Sequence, residues 1–267
     1  MHPVLNVAVE AAHAAANIMR RQMQHVDAIP FERKARHDYV TEVDKACEAE
    51  IVRHIRHYYP DHALLCEESG ATGEANVVWI IDPLDGTSNY MHGIPHFAVS
   101  IAQQVNGRTE HGVVYDPMRD ELFTASRGNG AFMNQKRIRA SARKSLDNAV
   151  VATAFPFRER GQLQAYARVF QAVFGKVEDF RRAGTASLDL AWVAAGRLDA
   201  YFEVGIKPWD VAAGALLVRE AGGVALDFEG NDSVEHSGTI LAAPYKLMTP
   251  LRQIVTKNWN PKSKGSE

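Results

Sequence analysis

Apolar and polar positions follow two different spacings along the chain. Residues 5–23 place apolar side chains at steps of three and four, which predicts an amphipathic helix, and residues 41–58 predict a second helix ended by Pro60. Strand-like runs follow at 62–66, 77–81, 97–102, 109–115 and 121–125. A hairpin turn at Asn106–Gly107 predicts that the later strands form an antiparallel meander.

The pattern changes near residues 141–145, after which strands and helices alternate. The predicted strands are 149–152, 177–180, 198–203, 224–226 and 240–243, and the predicted helices are 163–174, one opened by 184–186, 210–221 and 246–257. Such alternation is typical of an α/β fold. We therefore predict an N-terminal α+β domain over residues 1–143 and a C-terminal α/β domain over residues 144–267.

The apolar run at residues 77–81 predicts a strand buried on both faces, and it ends at Asp82. Open α/β sheets bind ligands at the carboxyl ends of their strands, and Asp85 can bring a second carboxylate to the same place. Gly86 and Thr87 predict the first turn of a helix, whose unpaired N–H groups suit a phosphate. Hard oxygen ligands beside an anion site indicate magnesium and a phosphorylated substrate.

Each acidic candidate also has a purely structural interpretation. Asp85 could cap the next helix in an ordinary Asp-Gly turn, and Asp210 could cap the helix that it begins. Asp44 follows Thr41 by three residues, as in a variant of the capping box. Glu67 ends a short strand, where carboxylates are commonly just solvated, but pairing with the 77–81 strand would bring it beside Asp82.

Composition excludes several classes of protein. The 267 residues include 30 Lys and Arg against 32 Asp and Glu, so no basic excess favours direct nucleic-acid binding. Two cysteines, Cys47 and Cys66, exclude a disulfide framework and a cysteine zinc site, and favour a reducing compartment. Since neither a signal peptide nor an 18-residue apolar run is found, we expect a cytoplasmic protein with no membrane partner.

Three motifs together resemble the signatures of the inositol monophosphatase family. They are Cys-Glu-Glu at 66–68, Asp-Pro-Leu-Asp-Gly-Thr at 82–87, and Trp-Asp-Val-Ala-Ala-Gly at 209–214 with Gly222–Gly223 after it. The resemblance covers residues 1 to about 257, and segments 116–119, 155–157 and 179–182 are most similar to the bacterial SuhB-type branch. This family belongs to a lithium-sensitive, magnesium-dependent phosphatase group that includes fructose-1,6-bisphosphatase. The resemblance therefore implies a layered αβαβα sandwich.

The resemblance also implies a magnesium cluster of two or three ions. The first ion would be held by Glu67, Asp82 and the Leu84 carbonyl, the second by Asp82, Asp85 and Asp210, and a weaker third by Glu67, with Asp44 acting through water. Independently of the family, four carboxylates that converge on one point repel one another unless cations lie among them. We therefore expect magnesium to be part of the working site.

Catalytic and binding roles follow from the same resemblance. An attacking water would pass its proton to Glu67 and to the Thr87 hydroxyl, which Asp44 orients. Backbone N–H groups of Gly86 and Thr87 would hold the phosphate. The polyol hydroxyls would meet Asp85, Glu203, Asp210 and the turn formed by Gly184, Thr185 and Ala186. Lys34, on a predicted loop where the family has a helpful lysine, stays outside this core site.

Two functions of different classes remain open. One is a magnesium-dependent phosphomonoesterase acting on myo-inositol 1-phosphate or a related polyol phosphate, with histidinol phosphate, a nucleotide phosphate or fructose bisphosphate as alternatives. The other is an interaction protein that binds RNA polymerase and a Nus factor in ribosomal RNA antitermination, with which the SuhB-type branch is associated. A homodimer is also expected, from the family and from residues 180–182 just before the Gly184 turn.

Overall fold

Two packed helices form the N-terminal part of the chain. The computed structural model describes residues 2–23, 31–35 and 38–261, with only the backbone for 31–35 and 38–40. Helices α1 (Pro3–Gln22) and α2 (Glu42–Tyr58) pack against each other where the apolar spacing predicts helices. Strands β1 (Phe31–Ala35) and β2 (Asp38–Thr41) pair between them. Lys34 thus lies on a strand rather than on the predicted loop, and its side chain is outside the described part.

Among the described residues, eight strands form a large sheet that carries the first half of the site. They are β3 (Ala63–Cys66), β4 (Gly70–Thr72), β5 (Val77–Asp85), β6 (Ala98–Val105), β7 (Arg108–Asp116), β8 (Glu121–Ser126), β9 (Gly130–Met133) and β10 (Lys136–Arg137). Their order is β10-β9-β8-β7-β6-β5-β3-β4, with β3 and β5 parallel and the strands from β5 to β10 antiparallel. The meander is confirmed, whereas the sequence predicted none of β4, β9 and β10.

Residues 77–81 of strand β5 are all apolar because both faces of the strand are covered there. Trp79 and Ile81 belong to a core shared with α1 and α2, while Ile80 belongs to a core on the opposite side of the sheet. Successive side chains of a strand point to opposite faces, so a strand between two cores needs apolar residues at every position. The predicted burial of this strand on both faces is confirmed.

A smaller sheet of five strands carries the second half of the site. Its strands are β11 (Val150–Thr153), β12 (Asp179–Arg181), β13 (Ala200–Val204), β14 (Gly223–Leu226) and β15 (Thr239–Pro244). Their order is β12-β11-β13-β15-β14, and β11 is parallel to both of its neighbours. Strand β12 begins two residues later than predicted, since Lys176 and its neighbours continue the turn after the preceding helix.

The remaining helices complete five layers. They are α3 (Thr87–Met91), α4 (Leu163–Phe174), α5 (Ala186–Ala194), α6 (Pro208–Glu220), α7 (Val234–Ser237) and α8 (Tyr245–Asn258). Helices α5 and α6 lie between the two sheets, α1 and α2 cover the outer face of the large sheet, and α4 and α8 cover the outer face of the small one. The expected αβαβα sandwich is confirmed.

The central layer is close-packed because α6 is rich in small residues. A side chain at Gly214 would place its Cβ 2.6 Å from Leu190 Cβ in α5, and one at Gly112 would lie 3.1 Å from Ala213 Cα. The same central core contains Ile80 of the large sheet and Tyr201 of the small sheet. Because this core joins both halves, the division into domains at residue 143 stays a prediction.

Candidate functional site

Parallel pairing of β3 with β5 brings the first two carboxylates together. Cys66 lies opposite Ile81, so Glu67 and Asp82 follow the two strands side by side, and the Glu67 N–H donates to the Ile81 carbonyl at 3.1 Å. Near the end of β5, Asp82 Oδ1 accepts a hydrogen bond from the N–H of Leu84, two residues later in the chain, at 3.0 Å. The neighbouring-strand arrangement predicted for Glu67 and Asp82 is therefore present.

The other two carboxylates are held by helices of the central layer. Asp85 Oδ2 accepts hydrogen bonds from the Ser187 N–H at 2.7 Å and from the Ser187 hydroxyl at 2.6 Å, which ties the end of β5 to the start of α5. Asp210 Oδ2 accepts from the Lys207 N–H at 2.7 Å in the first turn of α6. Asp210 is therefore the third residue of α6 and not its N-cap, which is Lys207, so the predicted N-cap position was wrong. Its side chain still caps the helix by accepting the Lys207 N–H, and it lines the same cleft as Asp82.

Within the cluster, the charge of each acid raises the pKa of its neighbours. Burial, then the nearby charges of Glu67, Asp85 and Asp210, raises the pKa of Asp82 well above its usual value. Burial and the Asp210 charge raise the pKa of Asp85 to about 7, although the Ser187 hydrogen bonds oppose that rise. Like charges in a poorly solvated place are costly, so this cluster has the electrostatics of a cation site.

Asp44 joins the cluster through Thr87. Its Oδ2 accepts from the Thr41 N–H at 2.8 Å, closing the capping box of α2, while its Oδ1 accepts from the Thr87 hydroxyl at 2.9 Å. The Thr87 oxygen also lies 3.1 Å from the Leu84 carbonyl, and its single proton can serve one of these acceptors at a time. Burial raises the pKa of Asp44, against the hydrogen bonds from Thr41 and Thr87.

Two glycine turns form the wall beside the acids. Gly86 has φ +97°, and a Cβ there would lie 2.7 Å from the Thr185 hydroxyl and 3.2 Å from the His96 carbonyl, so no larger residue fits. Gly184 has φ +93° and precedes Thr185, whose hydroxyl donates to the His96 carbonyl at 3.1 Å. The turns of residues 86–87 and 184–186 are thus packed against each other, although they are far apart in the sequence.

Glu203 lies at the end of β13, on the small-sheet side of the cleft. The Tyr201 hydroxyl donates to its carboxylate. Burial raises the pKa of Glu203 to about 8, with further contributions from the Asp210 and Asp85 charges. A carboxyl group that changes charge near neutral pH can accept or donate a hydrogen bond to a hydroxyl of a ligand.

One cleft contains most of the residues that the sequence singled out. The predicted residues that line it are Glu67, Asp82, Leu84, Asp85, Gly86, Thr87, Gly184, Thr185, Ala186, Glu203 and Asp210. Asp44 lies behind Thr87 and does not line the cleft. Arg158 and Arg182 also line it, and neither was predicted as a site residue, although Arg182 belongs to the segment 179–182. Arg158 directly follows the motif at 155–157, and this position is the sequence feature that could have marked it as a site residue.

The donor set suits a hard divalent cation such as magnesium, since four carboxylates and a carbonyl line one cleft and the acids raise one another's pKa. In the described part of the chain, however, no three His, Cys, Asp or Glu side chains are already arranged around one point as ligands are. Each Asp of the set has one oxygen held by a backbone N–H. The carboxylates would therefore have to rotate about these held oxygens before several of them could bind one ion.

The sequence profile described as the inositol monophosphatase family matches residues 1–260. The chain belongs to this family. Members of the family are phosphatases that generally depend on a metal ion, and the resemblance read from the three motifs is confirmed.

Two bacterial relatives match nearly the whole chain. The protein named Nus factor SuhB of Haemophilus influenzae is 50% identical over 250 residues, which are 93% of this chain and 94% of that protein. The protein of the same name from Pseudomonas aeruginosa is 48% identical over 270 residues, which are 99% of this chain and 100% of that protein. This inositol monophosphatase family member is therefore similar in sequence to proteins named for transcription.

Solved structures agree with the layered fold. The crystal structure of extragenic suppressor protein suhB from Bartonella henselae matches with a TM-score of 0.92 at 41% identity, over 95% of this chain and 98% of that one. The inositol monophosphatase from Anabaena matches with a TM-score of 0.85 at 37% identity, over 97% of both chains. Among the described helices of this family member, none is long and apolar enough to cross a membrane.

Proposed function

We propose that this chain is a magnesium-dependent phosphomonoesterase that releases phosphate from a phosphorylated polyol, with myo-inositol 1-phosphate as the first candidate. The observation that carries the proposal is the convergence of Glu67, Asp82, Asp85 and Asp210 on one cleft beside two glycine turns. Membership of a phosphatase family supports the same reaction class. Related polyol, histidinol, nucleotide and sugar phosphates are its competitors.

The carboxylates provide the proposed metal ligands. Glu67, Asp82 and the Leu84 carbonyl form one ligand group, and Asp82, Asp85 and Asp210 form another, with a weaker third position at Glu67. Magnesium bound there would lower the pKa of a water molecule and neutralise charge on the leaving oxygen. Asp82 is central because it belongs to both ligand groups.

Thr87 and Asp44 are proposed to handle the proton of the attacking water together with Glu67. The Thr87 hydroxyl donates to Asp44 Oδ1 at 2.9 Å, so its oxygen could accept a proton from water while its own proton passes to the Asp44 carboxylate. Gly86 supports this geometry, because its left-handed backbone turns the chain so that the N–H groups of Gly86 and Thr87 can approach a phosphate.

Glu203 and the turn of residues 184–186 are proposed to meet the polyol, together with Asp85 and Asp210. Glu203 belongs to β13 of the small sheet and residues 184–186 lead into α5 of the central layer, whereas Glu67 follows β3 of the large sheet. A pocket that hydrogen-bonds hydroxyl groups discriminates strongly against ligands that lack them, because its buried polar groups would then stay unpaired.

A substrate panel on the pure protein tests this function. We expect phosphate release from myo-inositol 1-phosphate with magnesium, loss of release in a chelator, and a lower rate with lithium. Histidinol phosphate, a nucleoside monophosphate and fructose 1,6-bisphosphate serve as competing substrates under the same conditions. Equal turnover with and without chelator would disprove the metal-dependent mechanism.

The similarity to the Nus factor SuhB proteins supports a second candidate function. At about half identity over nearly both full lengths, surfaces outside the cleft can be retained as well as the cleft itself. We propose as the alternative that the chain binds a Nus factor and RNA polymerase in an antitermination complex, with phosphatase activity secondary. Such binding needs no hydrolysis.

Asp82→Asn separates the two functions. It keeps the side-chain shape but removes the charge shared by both ligand groups, so hydrolysis should fall by several orders of magnitude while the fold survives. Asp189→Asn is the matched control, since Asp189 is also a buried carboxylate but does not line the cleft. If Asp82→Asn still rescues a knockout strain and still captures RNA polymerase, binding is the cellular function; if rescue fails although the protein is folded and abundant, catalysis is.

A homodimer is proposed from aromatic side chains near β12. Phe155, Phe157 and Phe174 are 40%, 44% and 64% exposed, and the Phe174 ring stacks on Phe180 at 6.2 Å. Grouped exposed aromatic side chains are typical of protein interfaces. Light scattering at micromolar concentration should give twice the chain mass of 29.5 kDa, and a monomer mass would contradict the proposal.

A further inference from the structure

Arg158 brings a positive charge into the acidic cleft from the small-sheet side. It follows β11 in a tight turn in which the Glu159 N–H donates to the Pro156 carbonyl at 3.1 Å. Its guanidinium lies 3.7 Å from Glu67 Oε1 and 3.8 Å from Asp210 Oδ2, so it spans acids contributed by two different layers. The side chain is 37% exposed, so it can change partners without losing a large buried contact.

Glu67 and Asp210 are also proposed metal ligands, so Arg158 and magnesium would be two cations that compete for the same carboxylates. Magnesium on Glu67 and Asp210 would place cations within a few ångströms of the guanidinium, where like charges repel one another. Ion binding would also reduce the negative charge that attracts Arg158 to these oxygens. A phosphate group bound in the same cleft carries up to two negative charges and would provide the compensating anion.

We infer that Arg158 is a binding residue for the phosphate group of the substrate, exchanging its contacts with Glu67 and Asp210 for phosphate oxygens when the ester enters. The planar guanidinium can hold two such oxygens at once. It would act from the small-sheet side, while the N–H groups of Gly86 and Thr87 act from the large-sheet side. This inference rests on the proposed function.

The second arginine in the cleft does not share this position. The Arg182 guanidinium lies over the Phe157 ring at 5.4 Å from its centre, and the charges that it influences include Glu203 and Asp189. Of these two, Glu203 is a residue proposed to meet the polyol. Arg158 is therefore the arginine that the geometry assigns to phosphate.

The test compares Arg158→Ala, Arg158→Lys and the control Arg160→Ala in the full-length protein. Arg160 is in the same connection between β11 and α4 but does not line the cleft. Arg158→Ala should raise KM for the ester, and the inhibition constant for inorganic phosphate, by about 10- to 100-fold, the range of a lost charge-assisted pair. The value of kcat should change less than KM. Arg158→Lys should fall between Ala and the natural residue, and Arg160→Ala should match the natural protein.

A binding measurement makes the test independent of turnover. Calorimetric titration of inorganic phosphate into the magnesium-loaded protein should show the same 10- to 100-fold weakening for Arg158→Ala. Magnesium affinity itself should stay equal or increase, because a competing cation has been removed. Both measurements use inorganic phosphate and magnesium as the only probes.

The outcomes separate the inference from the proposed function. Unchanged KM and unchanged phosphate affinity in Arg158→Ala, with weaker magnesium binding or a lower melting temperature, would show that Arg158 only neutralises the acids and would overturn the inference. If the natural protein hydrolyses no ester but binds phosphate through Arg158, the inference stands and the proposed reaction fails. If the natural protein hydrolyses the ester but binds no phosphate, the inference fails and the proposed reaction stands; if it does neither, both fail.

Discussion

At the scale of single residues, Asp44 shows that capping and function need not compete for one side chain. One carboxylate oxygen closes the capping box of α2 and the other accepts from the Thr87 hydroxyl. Asp210 likewise accepts the Lys207 N–H and lines the cleft. A carboxylate has two oxygens with about four acceptor positions, so a helix cap can hold a functional acid in a fixed orientation. The structural interpretation of these two acids therefore does not exclude the proposed functional one.

The Thr87 hydroxyl is a direct test of the proposed proton path. Thr87→Ala should lower kcat by about 10²- to 10⁴-fold, the range of general acid–base catalysis, because Asp44 loses the group that it orients. Thr87→Ser keeps the hydroxyl and should retain most of the activity. Phosphate release at saturating substrate measures both. A Thr87→Ala protein as active as Thr87→Ser would show that the proton leaves by another route.

Glu203 is proposed to recognise hydroxyl groups and holds no proposed metal. Glu203→Gln should lower hydrolysis of myo-inositol 1-phosphate by at least about tenfold relative to a small generic ester, a difference of about 1.4 kcal/mol. Tyr201→Phe removes the hydroxyl that donates to Glu203 and should produce a smaller change in the same direction. The ratio of kcat/KM for the two esters is the measurement. Equal losses for both would show that Glu203 does not determine specificity.

At the scale of elements, the junction between β5 and α3 carries most of the proposed chemistry. It consists of Asp85, the last residue of β5, then Gly86, then Thr87, the first residue of α3, and it is held by Ser187 and Thr185 at the start of α5. Helix α3 has five residues, too short to be stable alone. Its position therefore depends on the contacts that Asp85 and Gly86 make with Ser187 and Thr185, which link the two halves of the candidate site.

Gly86→Ala and Gly107→Ala separate backbone strain from close packing. Both glycines have positive φ, +97° and +75°, so both variants carry the strain of an L-residue, about 1–3 kcal/mol. A Cβ at Gly107 meets nothing within 4 Å, whereas one at Gly86 lies 2.7 Å from the Thr185 hydroxyl. Gly86→Ala should cost about 1–3 kcal/mol more in unfolding free energy.

Chemical denaturation of both glycine variants measures this difference, and the activity assay adds a second criterion. Gly107→Ala should keep full activity, because its hairpin turn is remote from the cleft. Gly86→Ala should lose activity even where it is folded. Equal destabilisation of the two variants would mean that the packing between the turns at Gly86 and Thr185 is looser than the distances indicate.

At the scale of the whole molecule, the layered sandwich buries acids that ordinary surface positions would leave charged. Burial raises the pKa of Glu203 to about 8, and it raises the pKa values of Asp82 and Asp189 well above the usual range. Between pH 7 and pH 8.5 the folded protein therefore holds protons that the unfolded chain has lost. Under linkage, the free energy of unfolding must decrease as pH rises through this window.

The melting temperature should therefore be lower at pH 8.5 than at pH 7 by several degrees, since about 1 kcal/mol corresponds to roughly 2–4 °C for a protein of this size. Burial lowers the pKa of His96, so this histidine is neutral throughout the window and does not oppose the trend. Magnesium should raise the melting temperature more at pH 8.5, where more carboxylates are ionised. Calorimetry with magnesium or chelator measures all four conditions.

Asp82→Asn is the control for this pH dependence. Removing the acid with a strongly raised pKa should flatten the slope in chelator, increase stability at pH 8.5 and weaken the response to magnesium. A melting temperature that rises from pH 7 to pH 8.5 in chelator would show that the buried acids are ionised and otherwise compensated.

The sequence alone determined the features that depend on neighbouring residues. Apolar spacing located α1, α2 and β5, and the motifs at 66–68, 82–87 and 209–214 identified the family and the acids of the candidate site. The capping-box interpretation of Asp44 was also correct, because a cap involves residues three apart, whereas Asp210 was predicted as the N-cap of a helix that begins two residues earlier. Short strands such as β4, β9 and β10 escaped prediction, since strands this short owe their stability to pairing rather than to a local apolar pattern.

Only the tertiary structure decided which acids meet and how strongly they influence one another. Ser187 holds Asp85 across 102 residues of sequence, and the parallel pairing of β3 with β5 sets Glu67 beside Asp82. Arg158 reaches the cleft from a third segment of the chain, and no motif spacing predicted its contacts with Glu67 and Asp210. The raised pKa values follow from burial, which depends on the packing of five layers. Contacts between distant segments and the loss of water around them are properties of the folded chain, so no local pattern encodes them.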